Sequence, residues 1–295
     1  MKKTIFTGSA VAIVTPFTED GVNFSKLGEL IEFQIANKTD AIVICGTTGE
    51  SSTMPDAEHS ETIRYAVEKV AGRVPVIAGT GTNDTRHAIA LSQQAEKDGA
   101  DALLLVTPYY NKCSQQGLVL HFNAIAKSVS IPCMLYNVPS RTGVTIAPQT
   151  VYELSKTENI VAVKEASGSL AQAMKMVQLC GDAIDIYSGN DDLIVPLLSV
   201  GAKGVISVLA NVAPEQTHDI CEKFFAGDVA GAAKMQYEAM ELIDALFCDV
   251  NPIPVKEAMN LMGYGVGPLR LPLCEMQPAA KEKLAAALKN YGLLQ

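Results

Sequence analysis

Positive charge is scarce in this chain of 295 residues: 23 Lys and Arg face 32 Asp and Glu, for a formal net charge of −9. A nucleic-acid binder needs a basic surface to displace counterions from phosphates, so that class of function is disfavoured. Only five arginines occur (64, 73, 86, 141 and 270). The four histidines (59, 87, 121 and 218) form no HxH, HExxH or triad pattern, which removes the usual basis for metal hydrolysis or Ser-His catalysis, and no metal site is expected. His121 and His218 fall in helical stretches and read as structural. The seven cysteines (45, 113, 133, 180, 221, 248 and 274) contain no CxxC pair and no zinc spacing; they read as reduced thiols of a cytosolic protein. No apolar run approaches the roughly 18 residues of a membrane span. The start Met1-Lys2-Lys3-Thr4-Ile5-Phe6 imitates a secretory head, but Thr7-Gly8-Ser9 interrupts it and Ala10–Val14 is too short for an h-region. A cytoplasmic location is expected. There is no linker, repeat or low-complexity stretch.

What is present is the composition of a packed protein: 48% hydrophobic and 19% charged residues with a mean hydropathy of +0.18. Length alone allows two medium domains or one barrel with an appendage. Short apolar runs decide between them. Eight read as strands: Ser9–Thr15, Ala41–Gly46, Val74–Thr80, Ala102–Thr107, Ile131–Asn137, Ile160–Lys164, Ile184–Gly189 and Gly204–Val208. Their starts lie roughly 20 to 35 residues apart, room for a strand, a helix and two loops. Helix signals fill the gaps. Thr53-Met54-Pro55-Asp56 offers an N-cap and an acidic first turn, Asn83-Asp84 opens a second helix, and Ser114 precedes a third. Continuously apolar strands suit a parallel sheet buried on both faces. The expected fold is therefore an α/β (β/α)8 TIM barrel over residues 1–225, with a helical tail over 226–295 packed on its wall. An open doubly wound sheet is the alternative, but the first strand ends in Val14-Thr15-Pro16-Phe17 rather than a Gly-rich phosphate turn, and Gly79-Thr80-Gly81 lacks the third glycine. In the tail, Val229–Val250 carries an apolar face with Leu242, Leu246 and Phe247, a proline-broken segment begins at Asn251, and a last helix starts near Pro278.

In a barrel the chemistry sits at the C-terminal ends of the strands. Lys164 directly follows Ile160-Val161-Ala162-Val163, so its amine leaves a buried strand. Desolvation there disfavours the ammonium and frees a nucleophile suited to a Schiff base with a carbonyl substrate. A lysine snorkelling outward, or one paired with Glu165, fits the position equally well. Tyr136 ends the preceding strand and should lie beside Lys164, where a phenol held by Thr47 or Tyr110 could relay protons. Taken alone, it reads better as a core tyrosine satisfying a backbone group. Gly46-Thr47-Thr48-Gly49-Glu50 is a tight strand-end loop whose N–H groups and hydroxyls suit a small carboxylate, although such turns are common. Arg141 follows Pro139-Ser140 and could clamp a substrate carboxylate or be a solvated loop charge. Asp191-Asp192 read as charges at a helix N-terminus.

Together, Gly46-Thr47-Thr48-Gly49-Glu50-Ser51, Tyr136-Asn137-Val138-Pro139-Ser140-Arg141-Thr142-Gly143 and Val163-Lys164-Glu165-Ala166-Ser167 closely resemble the dihydrodipicolinate synthase family of Schiff-base lyases, across essentially the whole chain. The resemblance implies condensation of pyruvate with L-aspartate-4-semialdehyde in lysine and diaminopimelate biosynthesis. It implies an imine on Lys164, proton shuttling by Tyr136 through Thr47 and through Tyr110 of a neighbouring subunit, and no cofactor beyond the covalent imine. Thr47 and Thr48 would take the pyruvate carboxylate and Arg141 that of the semialdehyde, while Gly189 and Ile206 match positions whose backbone lines the pocket. Ser51, His59, Asn83 and Tyr109 match a lysine effector site, whereas Asp56 and His87 stand where a histidine and a glutamate are frequent. A homotetramer is implied. Related aldolases acting on N-acetylneuraminate or 2-keto-3-deoxy sugar acids share the lysine and tyrosine but usually lack the double threonine and the arginine. A non-catalytic keto-acid-binding barrel is the remaining alternative.

Overall fold

The structure, a computed structural model, describes residues 2–294. Eight parallel strands pair in sequence order: β1 (Gly8–Ala12), β2 (Ala41–Ile44), β3 (Val76–Gly79), β4 (Ala102–Val106), β5 (Cys133–Asn137), β6 (Ile160–Glu165), β7 (Asp185–Ser188) and β8 (Gly204–Ser207). Strand β8 returns to β1, with Gly8 opposite Gly204 and Ala10 opposite Ile206, so the sheet closes into a barrel. The connecting helices are α1 (Phe24–Ala36), α2 (Asp56–Val70), α3 (Thr85–Lys97), α4 (Gln115–Ala126), α5 (Pro148–Leu154), α6 (Leu170–Cys180), α7 (Ile194–Ser199) and α8 (Pro214–Phe225). The tail adds α9 (Val229–Leu246), α10 (Ile253–Leu261) and α11 (Pro278–Asn290). Among the described residues no helix is long and apolar enough to cross a membrane.

Local chemistry sets the helix starts. Asn23, Asp84, Ser114 and Ser169 each accept a backbone N–H from the first turn of the helix that follows. Helices α5, α8 and α11 open with a proline, where no N–H donor is missed. The cap expected at Thr53 is absent. Helix α2 begins at Asp56 after Pro55, and the Thr53 hydroxyl instead donates to the Glu50 carbonyl at 3.0 Å, closing a short helical turn. A two-residue antiparallel hairpin, Phe17–Thr18 against Gly21–Val22, was not expected, because two residues per arm carry no readable periodicity. Helix α9 stops at Leu246 rather than Val250, and Phe247 is exposed instead of joining the apolar face.

Alternation along each strand builds two cores. Ala10, Ala12, Val43, Ile77, Leu104, Met134, Tyr136, Ala162, Tyr187 and Ile206 point into the barrel. Their neighbours Val11, Ile42, Ile44, Leu103, Leu105, Leu135 and Val163 point outward into the larger core shared with the helices, which Leu242, Ile243 and Leu246 of the tail also join. At the N-terminal end of the barrel, Phe6 stacks on Tyr187 at 4.4 Å, and the Tyr187 hydroxyl donates to the Phe6 carbonyl at 2.5 Å.

Asn211 reinforces the closure. From the turn after β8 its buried side chain accepts the Val14 N–H at 3.0 Å and donates to the carbonyls of Ala12 and Val208 at 2.9 and 3.0 Å. Replacing Asn211 with Ala strands these buried backbone groups, each costing on the order of 1–3 kcal/mol. Urea denaturation should show a loss of about 2–4 kcal/mol with little change in slope. A loss within experimental error would show that the closure does not depend on this side chain.

Candidate active site

The C-terminal mouth of the barrel opens into a cavity of about 320 Å³. Lys164 reaches it because it is the next inward position after Ala162 on β6. In the β5–β6 register it sits opposite Tyr136, so two inward-facing residues of adjacent strands meet at the mouth. The Lys164 Nζ lies 4.4 Å from the centre of the Tyr136 ring, over its face, and the residue is only 6% exposed. This removes the reading of a lysine snorkelling to solvent. The pairing with Glu165 is removed too: Glu165 lies on the outward face and accepts from Asn137 Nδ2 at 2.8 Å and the Ser167 N–H at 2.7 Å. The lysine is thus buried without a carboxylate bonded to it. Tyr136 also differs from a core tyrosine. Tyr187 satisfies its hydroxyl on a backbone carbonyl, whereas Tyr136 lines the cavity.

The threonine loop forms the facing wall. Thr47 and Thr48 both line the cavity, and the Thr15 hydroxyl donates to the Gly49 carbonyl at 2.8 Å to hold the loop down. Asn251, at the point where the tail turns after α9, donates through Nδ2 to Thr48 Oγ1 at 3.0 Å. The Asn251 carbonyl accepts from Arg141 Nη2 at 2.9 Å, so one tail residue touches both a threonine and the arginine. This is why α9 ends early: the chain must turn at residues 247–251 to deliver Asn251 and Phe247 to the cavity. Asn251 was missed by the reading of the sequence, where it marked only a proline break. No local pattern reports a contact spanning 203 residues.

Gly189 follows β7, its N–H donating to the Glu165 carbonyl at 2.8 Å, and it lines the cavity as expected. A Cβ built there would lie 2.6 Å from the Ala166 Cβ and 3.1 Å from the Lys164 Cε, so only glycine leaves room for the lysine. Ile206 differs from the expectation: it is buried in the barrel interior on β8 and does not line the cavity. Asp191 is also not a cap for its own helix. Its Oδ2 accepts the N–H groups of Val208 and Leu209 at 3.0 and 2.9 Å, and burial raises its carboxyl above the usual range against the pull of these bonds and of the Lys164 charge. Tyr110 lies outside this chain's cavity: it is 92% exposed and its backbone is left-handed, with φ of 68°.

A second cavity, about 260 Å³, adjoins the first, and Thr47, Val138 and Arg141 line both. Ser51, His59, Asn83 and Tyr109 all face it, so the structure brings together the four residues grouped from the sequence. The His59 Nε2 is 2.9 Å from the Gly79 carbonyl, and burial pushes its pKa down, which favours a neutral ring donating there. Asp56 and His87 line the same cavity and pair with each other, Nε2 to Oδ1 at 3.0 Å.

With this geometry in place, similarity to known proteins becomes informative. A model of the dihydrodipicolinate synthetase family matches residues 5–291. The chain belongs to that family. It is 58% identical over 294 residues to the 4-hydroxy-tetrahydrodipicolinate synthase of Acetivibrio thermocellus, with 100% of both chains covered. Among solved structures, dihydrodipicolinate synthase from Aquifex aeolicus superposes with a TM-score of 0.96 at 45% identity, covering 98% of this chain and 99% of that one. The enzyme from Cyanidioschyzon merolae with lysine bound gives a TM-score of 0.96 at 40% identity, covering 99% and 100%.

The packing around Lys164 generates a test. Gly189→Ala should lower the thermal midpoint, because the Ala166 Cβ cannot rotate away from the added methyl, and should displace the lysine side chain. Misplacing a reacting group by about 1 Å can cost on the order of 100-fold. Covalent labelling of Lys164 by a keto acid and borohydride should slow by about 10- to 100-fold. Labelling at the parent rate would show that the lysine does not need this space.

Proposed function

We propose that this chain condenses pyruvate with L-aspartate-4-semialdehyde to 4-hydroxy-tetrahydrodipicolinate, the reaction for which its relatives are named. The observation that carries the reading is the buried Lys164, free of a carboxylate partner and lying against Tyr136 in a cavity walled by Thr47, Thr48 and Arg141. Once it has given up a proton, the Lys164 amine attacks the keto carbon of pyruvate, and loss of water gives an imine. Removing a methyl proton gives an enamine, whose carbon attacks the aldehyde of the second substrate. Tyr136 moves the protons, through Thr47 on this chain and through Tyr110 supplied by a neighbouring subunit of a homotetramer. The exposed, left-handed Tyr110 suits such a donated residue. The imine is itself the electron sink, so the reading calls for no added cofactor or metal. The threonine loop takes the pyruvate carboxylate, and Arg141 takes that of the semialdehyde.

The second cavity supports a lysine effector, since its four grouped residues converge and it shares walls with the first. Where the family often has a histidine and a glutamate, this chain has Asp56 and His87. Acid and imidazole have exchanged places but remain paired, which favours retention of the site. The cytoplasm suits a chain whose seven cysteines are all unpaired.

Borohydride added with pyruvate should trap a covalent adduct on Lys164, read by intact mass and peptide mapping. Lys164→Ala should abolish both the adduct and turnover in an assay with pyruvate and aspartate semialdehyde. An unchanged mass in the parent protein would overturn the imine, and cleavage of sugar acids without condensation of the semialdehyde would reassign the second substrate. The same assay with added lysine tests the effector: unchanged rates at saturating lysine would remove it.

A further inference from the structure

The threonine loop is bracketed by two left-handed residues that are not glycine, Cys45 at φ 54° and Glu50 at φ 55°. Such conformations cost on the order of 1–3 kcal/mol and persist only where surrounding contacts impose them. At Cys45 the contacts are apolar, with the thiol buried against Met54. At Glu50 they are ionic and come from the tail. Lys256 on α10 donates from Nζ to Glu50 Oε1 at 2.7 Å, and both side chains are fully enclosed, at 1% and 0% exposure. The other carboxylate oxygen, Oε2, accepts the Arg270 N–H at 3.0 Å. Lys256 also donates to the Pro268 carbonyl at 2.6 Å and lies 4.6 Å from the centre of the Phe17 ring. The Arg270 guanidinium lies 3.9 Å from the same ring and grips Glu58 through two bonds.

A buried ion pair is a poor device for stability alone, because desolvating both charges offsets most of their attraction. What it supplies is a single register: a slip of the loop would leave a charge buried without its partner. We propose that Glu50 and Lys256 are positioning residues, through which the tail holds the backbone of residues 46–50 in its left-handed turn and so sets Thr47 and Thr48 for a substrate carboxylate. The inference rests on the reading of that loop as the seat of pyruvate. The pair touches no substrate itself. Asn251 to Thr48 is the shorter-range part of the same clamp, at 3.0 Å, so the stretch 251–270 grips the loop at two points.

The test compares the parent protein with Glu50→Gln/Lys256→Met, which removes both charges together, and with Glu50→Asp alone, which keeps both charges but shortens the arm that holds the loop. The double variant should raise the KM for pyruvate about tenfold or more, on the scale of a misplaced binding group. The KM for aspartate semialdehyde should stay within about twofold, since Arg141 keeps its bond to Asn251. Glu50→Asp should show the same split at smaller size, and it decides the question should the double variant fail to fold. A folded variant that melts lower but keeps the parent's KM for pyruvate would assign the pair to stability alone and overturn the proposal. A failed reaction assignment shows itself separately, as the absence of any trapped pyruvate in the parent protein.

Discussion

The constraint on which everything else rests is the closure of eight parallel strands, with β8 bonded back to β1. A closed ladder leaves no edge, so strand residues point by turns into the barrel and out to the helices, apart from an irregularity at the start of β6, where Val161 and Ala162 both join the inner core. One inward row thus delivers Met134 and Tyr136 from β5, and the next delivers Ala162 and Lys164 from β6. The lower inward positions are apolar and fill the barrel. The upper ones meet the open mouth, where a lysine and a tyrosine can be enclosed and still reached by a small molecule. A shift of β6 by one residue would turn Lys164 into the helical layer, and the same shift of β5 would do so to Tyr136.

Charge is organised locally and against the average. The protein is acidic, at −9, and its general field repels anionic substrates. The cavity supplies its own positive groups, one enclosed and carboxylate-free in Lys164, one at the rim in Arg141. Elsewhere the buried Lys256 is matched by Glu50, and the part-buried Arg270 by Glu58. Lys164 has no such match among the described residues. Lys256 is buried at least as deeply, but its amine is taken up by Glu50 and the Pro268 carbonyl, and burial pushes its pKa down against the pull of that carboxylate.

The tail completes the site. Residues 247–270 leave the helical layer to place Phe247 and Asn251 at the cavity and to engage Glu50 with both Lys256 and the Arg270 backbone. The barrel alone would present the threonine loop, but with a strained end held from one side only. The second cavity shares Thr47 and Arg141 with the first, so a ligand bound there would act on the same loop and the same arginine.

Much of this was legible in the residues themselves. All eight strands were marked by short apolar runs between turn residues, because a strand buried on both faces leaves a composition signal that needs no partner to be seen. Lys164 stood out because a charged group ending such a run contradicts its surroundings. The caps at Asp84 and Ser114 were readable for the same local reason. Thr53 was not, since its hydroxyl had a nearer backbone carbonyl to bond. The choice between a snorkelling lysine, a Glu165 pair and a free amine could not be made from sequence, because it turns on which face of β6 each side chain takes and what stands across from it. Nor could sequence connect Asn251 to Thr48 or Lys256 to Glu50, contacts more than 200 residues apart. Local patterns determine which elements form and which of their faces are apolar. The packing of those elements decides which polar groups end up enclosed together, and a buried charge takes its chemistry from its enclosure.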